Sequence, residues 1–172
     1  MRPTTLAYLI AFGVASFTLV LPSTAFAFAD CAAPPAPNVD WSRCFHEESS
    51  FPKADLTSAR LADTRMQRAN LEEANLSGAN AQGAKFVAAN LKKALLVNAN
   101  LREADFTRAN LDGTDLSRAN LRRTRFFRAS LRGANLSGAK LDQTDLLNAD
   151  ISGATWTDGA RICAEGSIGR CK

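Results

Sequence analysis

The sequence predicts an all-β fold, a solenoid of short parallel coils, on three observations. From Phe51 onward the chain repeats every five residues, as in Ala69-Asn70-Leu71, Ala74-Asn75-Leu76, Ala99-Asn100-Leu101, Ala119-Asn120-Leu121 and Ala134-Asn135-Leu136, and an internal period of this kind outranks every other signal. The repeat carries two apolar columns. Of the 22 positions taken in steps of five from Phe51 to Trp156, 21 hold Leu, Ile, Met, Phe or Trp, with Ala81 the exception. Two residues earlier, from Ala54 to Ala154, 17 of 21 sites are Ala and four are Thr64, Thr114, Thr124 and Thr144. Finally, neither a helix nor an ordinary strand can bury both columns. Five residues advance a helix by about 140° beyond a full turn, which scatters the apolar position over every face. Strict strand alternation is broken once per block. A chain that runs extended for three residues and turns over the next two keeps both columns inside.

The N-terminal residues 1–27 read as a secretory signal rather than as structure. Arg2 precedes an apolar run from Leu6 to Leu21, followed by Pro22 and the small-residue pattern Ala25-Phe26-Ala27. That run of 16 residues falls short of the roughly 20 that cross a bilayer. Cleavage after Ala27 and after Ala29 both fit, and Asp30 occupies the place where a lipid anchor on Cys31 needs a small residue. The expectation is an exported, soluble chain, periplasmic or extracellular, with no stable membrane span after cleavage. Its net charge falls from +4 to about +3 with the loss of Arg2, a mild excess that permits attraction to anionic surfaces without requiring it.

Residues 28–50 are expected to form a cap. Cys31 and Cys44 bracket Pro34, Pro35, Pro37 and Val39-Asp40-Trp41, and the Trp41 ring is placed over the first coil, because the open strand edges of a solenoid must be covered. His46, beside Glu47 and Glu48, is read as an exposed loop residue.

Residues 51–158 are the solenoid. From about Ala54 to Trp156 the blocks follow A-[DN]-L-x-x, and in this the chain resembles the pentapeptide-repeat family, in its secreted type with Cys-containing terminal segments. The resemblance implies a right-handed quadrilateral parallel β-helix with four blocks per coil, about five coils of 20 residues, and a rod about 25 Å long at the usual strand spacing. The 20-residue coil has its own trace: Phe86, Phe106 and Phe126 lie 20 apart and would stack on one wall. Ala81 leaves its layer short of side-chain volume.

Residues 159–172 are the second cap. The five-residue step slips after Trp156, where the next such unit is Ala160-Arg161-Ile162. The stretch from Cys163 to Cys171 looks like the closing segment of secreted members of that family. Four cysteines in an exported chain allow three pairings. On the implied rod, any bridge from Cys31 or Cys44 to Cys163 or Cys171 would span its length, whereas disulfide Cα atoms lie within about 7 Å. Cys31 with Cys44 and Cys163 with Cys171 follow.

No active site is legible. There is one His, no Gly-rich phosphate loop, no metal-ligand spacing and no calcium-binding repeat, so no enzyme, metal or cofactor is expected. Asp and Asn before the central Leu recur with the period and read as turn-forming groups. Ser117 and Ser137 have no base beside them in the sequence.

The surface remains. On a 20-residue coil, the wall centred on Met66, Phe86, Phe106, Phe126 and Leu146 carries Arg65, Arg68, Lys85, Arg108, Arg125 and Arg128 against Asp105 and Asp145, a count of +4. The wall centred on Leu61 and Leu101 counts +2, and the other two are neutral or acidic. Val87, Phe127 and Leu147 interleave apolar groups with the guanidinium groups, a composition suited to contact surfaces. The expected function is a non-catalytic structural or protein-interaction scaffold that holds an anionic or amphipathic partner on Arg65, Arg68, Lys85, Arg108, Arg125, Phe127 and Arg128. The alternative is a nucleic-acid role. Direct binding by the basic wall is opposed by export, and the DNA mimicry of cytoplasmic family members that act on topoisomerases is opposed by the basic charge, the short rod and the disulfide-closed ends. Capped ends favour a monomer.

Overall fold

The computed structural model describes residues 29–172; the signal segment expected over 1–27 lies outside the described residues. The chain forms a right-handed quadrilateral parallel β-helix. Twenty parallel bridges, from Asp40↔Arg60 to Asn135↔Thr155, each join residues 20 apart. The coil is therefore four blocks long, and residues 36–155 make six coils.

Each block turns in the same way. The amide of Ala59 donates to the carbonyl of Leu56 at 3.0 Å, closing a turn whose third residue, Ser58, has φ +57°. All 24 residues at this position from Asn38 to Gly153 have positive φ, and 18 of them are not glycine. None is β-branched or aromatic, as the steric cost of the left-handed region demands.

Where Asp or Asn precedes the central residue, the amides divide among ladder, turn and side chain, as around residues 54–58. Leu56 and Ser58 donate to Asn75 and Ser77 in the next coil at 2.7 and 2.9 Å, and Asn75 donates back to Ala54 at 2.9 Å. The turn takes the fourth amide. The fifth, on Thr57, donates to Asp55 Oδ1 at 3.0 Å. This last bond explains the recurrent Asp and Asn: their side chain closes a local turn around an amide that the ladder leaves unpaired. The same contact recurs at Asn75, Asp105, Asn110 and Asp150.

The two apolar columns fill the axis. Leu and Ala from Leu56 to Ala154 are almost all fully buried, and the predicted Phe ladder is present. Phe86 and Phe106 lie 4.8 Å apart and 7° from parallel, and Phe106 and Phe126 5.2 Å and 12°. The four Thr exceptions in the Ala column share one device. Each hydroxyl donates to a central-column carbonyl of the coil below, 23 residues back: Thr64 to Trp41, Thr114 to Leu91, Thr124 to Leu101 and Thr144 to Leu121, at 2.7 to 2.8 Å. A buried hydroxyl is thereby satisfied.

The N-terminal segment departs from expectation. Coil geometry does not wait for Phe51: Val39 closes a turn on Ala36 at 3.2 Å, and Asp40, Phe45 and Ser50 already bridge to the coil above. Trp41, His46 and Phe51 occupy central-column positions, with ring centroids 4.2 Å apart for Trp41 and His46 and 5.0 Å for Trp41 and Phe51. Trp41 is thus a core residue of the first coil rather than a lid, and its Nε1 donates to the Ala33 carbonyl at 3.1 Å. His46 is buried, at 8% exposure, and is not the exposed loop residue expected. These blocks escaped the period because Val39, Cys44 and Ser49 stand where Ala otherwise does.

The ends are closed by disulfides between Cys31 and Cys44 and between Cys163 and Cys171, with Cα atoms 5.4 and 4.8 Å apart. Cys44 does double duty as an inward residue of the coil. At the other end the left-handed residue falls at Gly159, one position late, and the chain reverses. Residues 161–169 then run antiparallel along the last coil, with bridges Thr155↔Ile162 and Asp150↔Ile168.

Candidate interaction surface

Residues before and after each central position point outward, and the 20-residue register stacks those of like position along a wall. Arg65, Lys85, Asp105, Arg125 and Asp145 form one such file, each bridged to the next. Arg68, Arg108 and Arg128 form another, all at left-handed turn positions. Phe127 stands half-buried between them.

The cations differ in how much of their charge is already used. Arg68 donates to Glu48 of the first coil, with Nε at 2.9 Å, and Arg125 pairs with Asp105 at 3.2 Å. Burial opposes ionisation of Asp105, but hydrogen bonds from Thr107 and the charges of Arg125 and Lys85 outweigh it and hold the carboxyl below its ordinary value. The Arg65 guanidinium lies 4.8 Å over the exposed Phe45 ring, and that of Arg128 lies 5.0 Å over Phe127. Among the described residues Lys85, Arg108 and Arg128 form no ion pair.

The first coil corrects the expected charge map. Glu47 and Glu48 lie on the same wall, which lowers its count from +4 to +2, six basic against four acidic side chains. The neighbouring wall, with Arg43 and Asp40 added, also stands at +2. The contrast runs instead along the axis. Residues 76–95 hold three Lys and no acid, and residues 116–135 hold six Arg and no acid, while residues 36–55, 96–115 and 136–155 each count −2. The six-Arg coil is tied to its neighbours on both sides: Arg123 to Glu103 at 3.5 Å and Arg125 to Asp105 below, Arg122 to Asp142 at 2.6 Å and Arg132 to Asp150 at 2.9 Å above. Exposed pairs of this kind contribute little singly, about 0 to 1 kcal/mol each, but a slip of one coil would place like charges together. Among the described residues no His, Cys, Asp or Glu cluster could hold a metal ion, and no helix is long and apolar enough to cross a membrane.

A six-coil quadrilateral β-helix with Ala and Leu stacked along its axis defines a class of repeat protein. Residues 54–92, 84–123 and 119–155 match the profile of pentapeptide repeats, in eight copies, and the chain belongs to the pentapeptide repeat family. Among solved structures, a trypsin-treated form of QnrB1, a plasmid-mediated fluoroquinolone resistance protein, is 18% identical with a TM-score of 0.51, over 76% of this chain and 74% of that one. HetL, a pentapeptide repeat protein involved in heterocyst differentiation regulation from the cyanobacterium Nostoc sp. strain PCC 7120, is 29% identical with a TM-score of 0.36, over 72% and 70%. No curated protein matches the chain. The likeness to QnrB1 concerns the fold.

Proposed function

We propose that the protein is an exported, non-catalytic scaffold that holds an anionic or amphipathic partner on the wall carrying Arg65, Arg68, Lys85, Arg108, Arg125, Phe127 and Arg128. The observation that carries this reading is that Lys85, Arg108 and Arg128 on this wall form no ion pair among the described residues, and that the Arg128 guanidinium rests on the half-buried Phe127 ring. A guanidinium resting on an aromatic ring presents charge and apolar area together, the combination that recurs where proteins meet partners. Export is supported by the signal-like order of residues 1–27 and by two disulfides, which persist in oxidising compartments. The non-catalytic reading rests on the surface of the coils, where the repeated polar side chains are consumed by the turns themselves.

The test is recovery of partners from the exported fraction with wild-type protein and with Arg108→Glu/Arg128→Glu, neither of which is ion-paired. Loss of the wild-type partners from the variant supports the wall; recovery of the same set from both rejects it.

A further inference from the structure

From the third coil to the sixth, the three outward columns of the wall over the Phe ladder carry different chemistry. The column before the central residue alternates in sign, with Lys85, Asp105, Arg125 and Asp145 each bridged to the next, and Arg125 pairs with Asp105. The column after it holds Val87, Thr107, Phe127 and Leu147 and no charge. Phe127 is half-buried, Leu147 is 60% exposed, and the Thr107 hydroxyl donates to Asp105 Oδ1 at 2.6 Å. The third column is Ala88, Arg108, Arg128 and Asn148, all at left-handed turn positions. It contains two cations and no acid, and neither arginine forms an ion pair among the described residues. Across the corner that follows, Asn90, Asn110 and Ser130 are uncharged and Asp150 is paired with Arg132 at 2.9 Å.

An apolar column and an unpaired cationic column therefore run side by side along the axis, about 14 Å from the first coil of the stripe to the last at the usual strand spacing. The Arg128 guanidinium, 5.0 Å over the Phe127 ring, joins them. In the first two coils the same columns hold Glu47, Gln67, Glu48 and Arg68, and the charge of Arg68 is already met by Glu48. The neighbouring wall has no counterpart, because its Arg102, Arg122 and Arg123 are all ion-paired.

The pitch of the stripe selects the shape of its occupant. Like positions recur about every 4.8 Å along the axis. One turn of an α-helix advances about 5.4 Å, so a helix laid along the axis drifts by about 0.6 Å per coil and about 2 Å over the whole stripe. Side chains on one face of a β-strand recur about every 6.8 Å and are out of step by about 2 Å after a single coil. A bilayer would meet the entire wall, including the exposed Glu47 and Asp145. We infer that the stripe is a docking site for an amphipathic acidic α-helix of a partner protein, lying along the rod axis. Its apolar face covers Phe127 and Leu147, and its carboxylates, spaced i and i+3 or i+4, meet Arg108 and Arg128. This inference rests on the function proposed above and names the partner that the basic wall holds.

The experiment uses the full disulfide-bonded protein and three probes. The first is a fluorescein-labelled peptide of about 18 residues, five helical turns, with Leu at i, i+3, i+4 and i+7 and Glu in the flanking positions. The second has the same composition in a scrambled order without an apolar face. The third is a vesicle of phosphatidylglycerol. The first peptide is expected to bind about tenfold more tightly than the second and to gain helical circular dichroism on binding. Its binding should weaken about tenfold in Arg108→Glu/Arg128→Glu, the loss expected for two exposed charge contacts, and should weaken also in Leu147→Asp. Lys92→Glu/Lys93→Glu, the same change of charge on another wall, should leave it unaltered. Glu already stands at left-handed turn positions in this chain, at Glu48, Glu73 and Glu103, so the arginine variant keeps its turns. Binding without a gain of helix, or equal weakening by the lysine variant, overturns the site. If the scrambled peptide or the vesicle binds through Arg108 and Arg128 and the amphipathic peptide does no better, the helix is overturned and the basic wall stands. If no probe responds to the arginine variant, neither survives.

Discussion

Phe86 and Phe106 stack 4.8 Å apart and 7° from parallel, one coil above the other. The separation is the interstrand spacing itself, so the rings meet without either leaving its place in the coil. The inner ring of this ladder, Phe106, touches an aromatic on both sides.

Replacing Phe106 tests how far the ladder sustains the axis. Phe106→Ala is expected to destabilise by about 3 to 5 kcal/mol, the usual range for a buried aromatic truncated to Ala. Phe106→Leu, which restores the majority residue of the column, is expected to cost about 1.5 kcal/mol or less. Denaturant unfolding of the two variants measures the difference. Equal losses would show that the cost arises from the stacking rather than from volume.

Ala88 is the sole alkyl side chain among the non-glycine turn residues of positive φ, at +55°. Ala88→Gly removes the left-handed penalty but loosens the unfolded chain, and the two effects offset to within about 1 kcal/mol. Ala88→Val sets a β-branched residue in a region that tolerates it poorly, and a loss of about 2 kcal/mol is expected. Thermal unfolding of both variants checks the order, and a Val variant as stable as the wild type would contradict the turn geometry.

Burial pushes the His46 imidazole below its ordinary value of 6.5, and its Nε2 has no hydrogen-bond partner among the described residues. The unfolded chain therefore binds a proton more readily than the folded one, so the contribution of this residue to stability is present above about pH 6.5 and is lost as pH falls toward the folded value. Acidification from about pH 7.5 to 5 should loosen the first coil, reported by the fluorescence of Trp41, whose ring lies 4.2 Å from the imidazole. His46→Phe should flatten this response. A variant with the same pH profile as the wild type would assign the effect to other groups.

Much of the fold was legible because its signals are strictly local. The Leu and Ala columns, the Phe spacing and the slip after Trp156 each state the coil without reference to distant contacts, and the two end-local cysteine pairs follow once the rod is accepted. The first coil was not legible, since Trp41, Cys44, His46 and Ser49 satisfy its geometry without matching the sequence pattern. The expected charge map fails for that reason: in the sequence Glu47 and Glu48 read as part of a cap, whereas they share a wall with Arg65 and Arg68.

By itself the sequence determined that this chain winds in five-residue sides around a dry axis, because only that path buries a Leu and an Ala in every block and leaves the remaining residues to turn. Where the winding begins and how the charged coils face one another along the axis emerge in the folded chain. Those properties depend on hydrogen bonds and ion pairs between residues 20 apart.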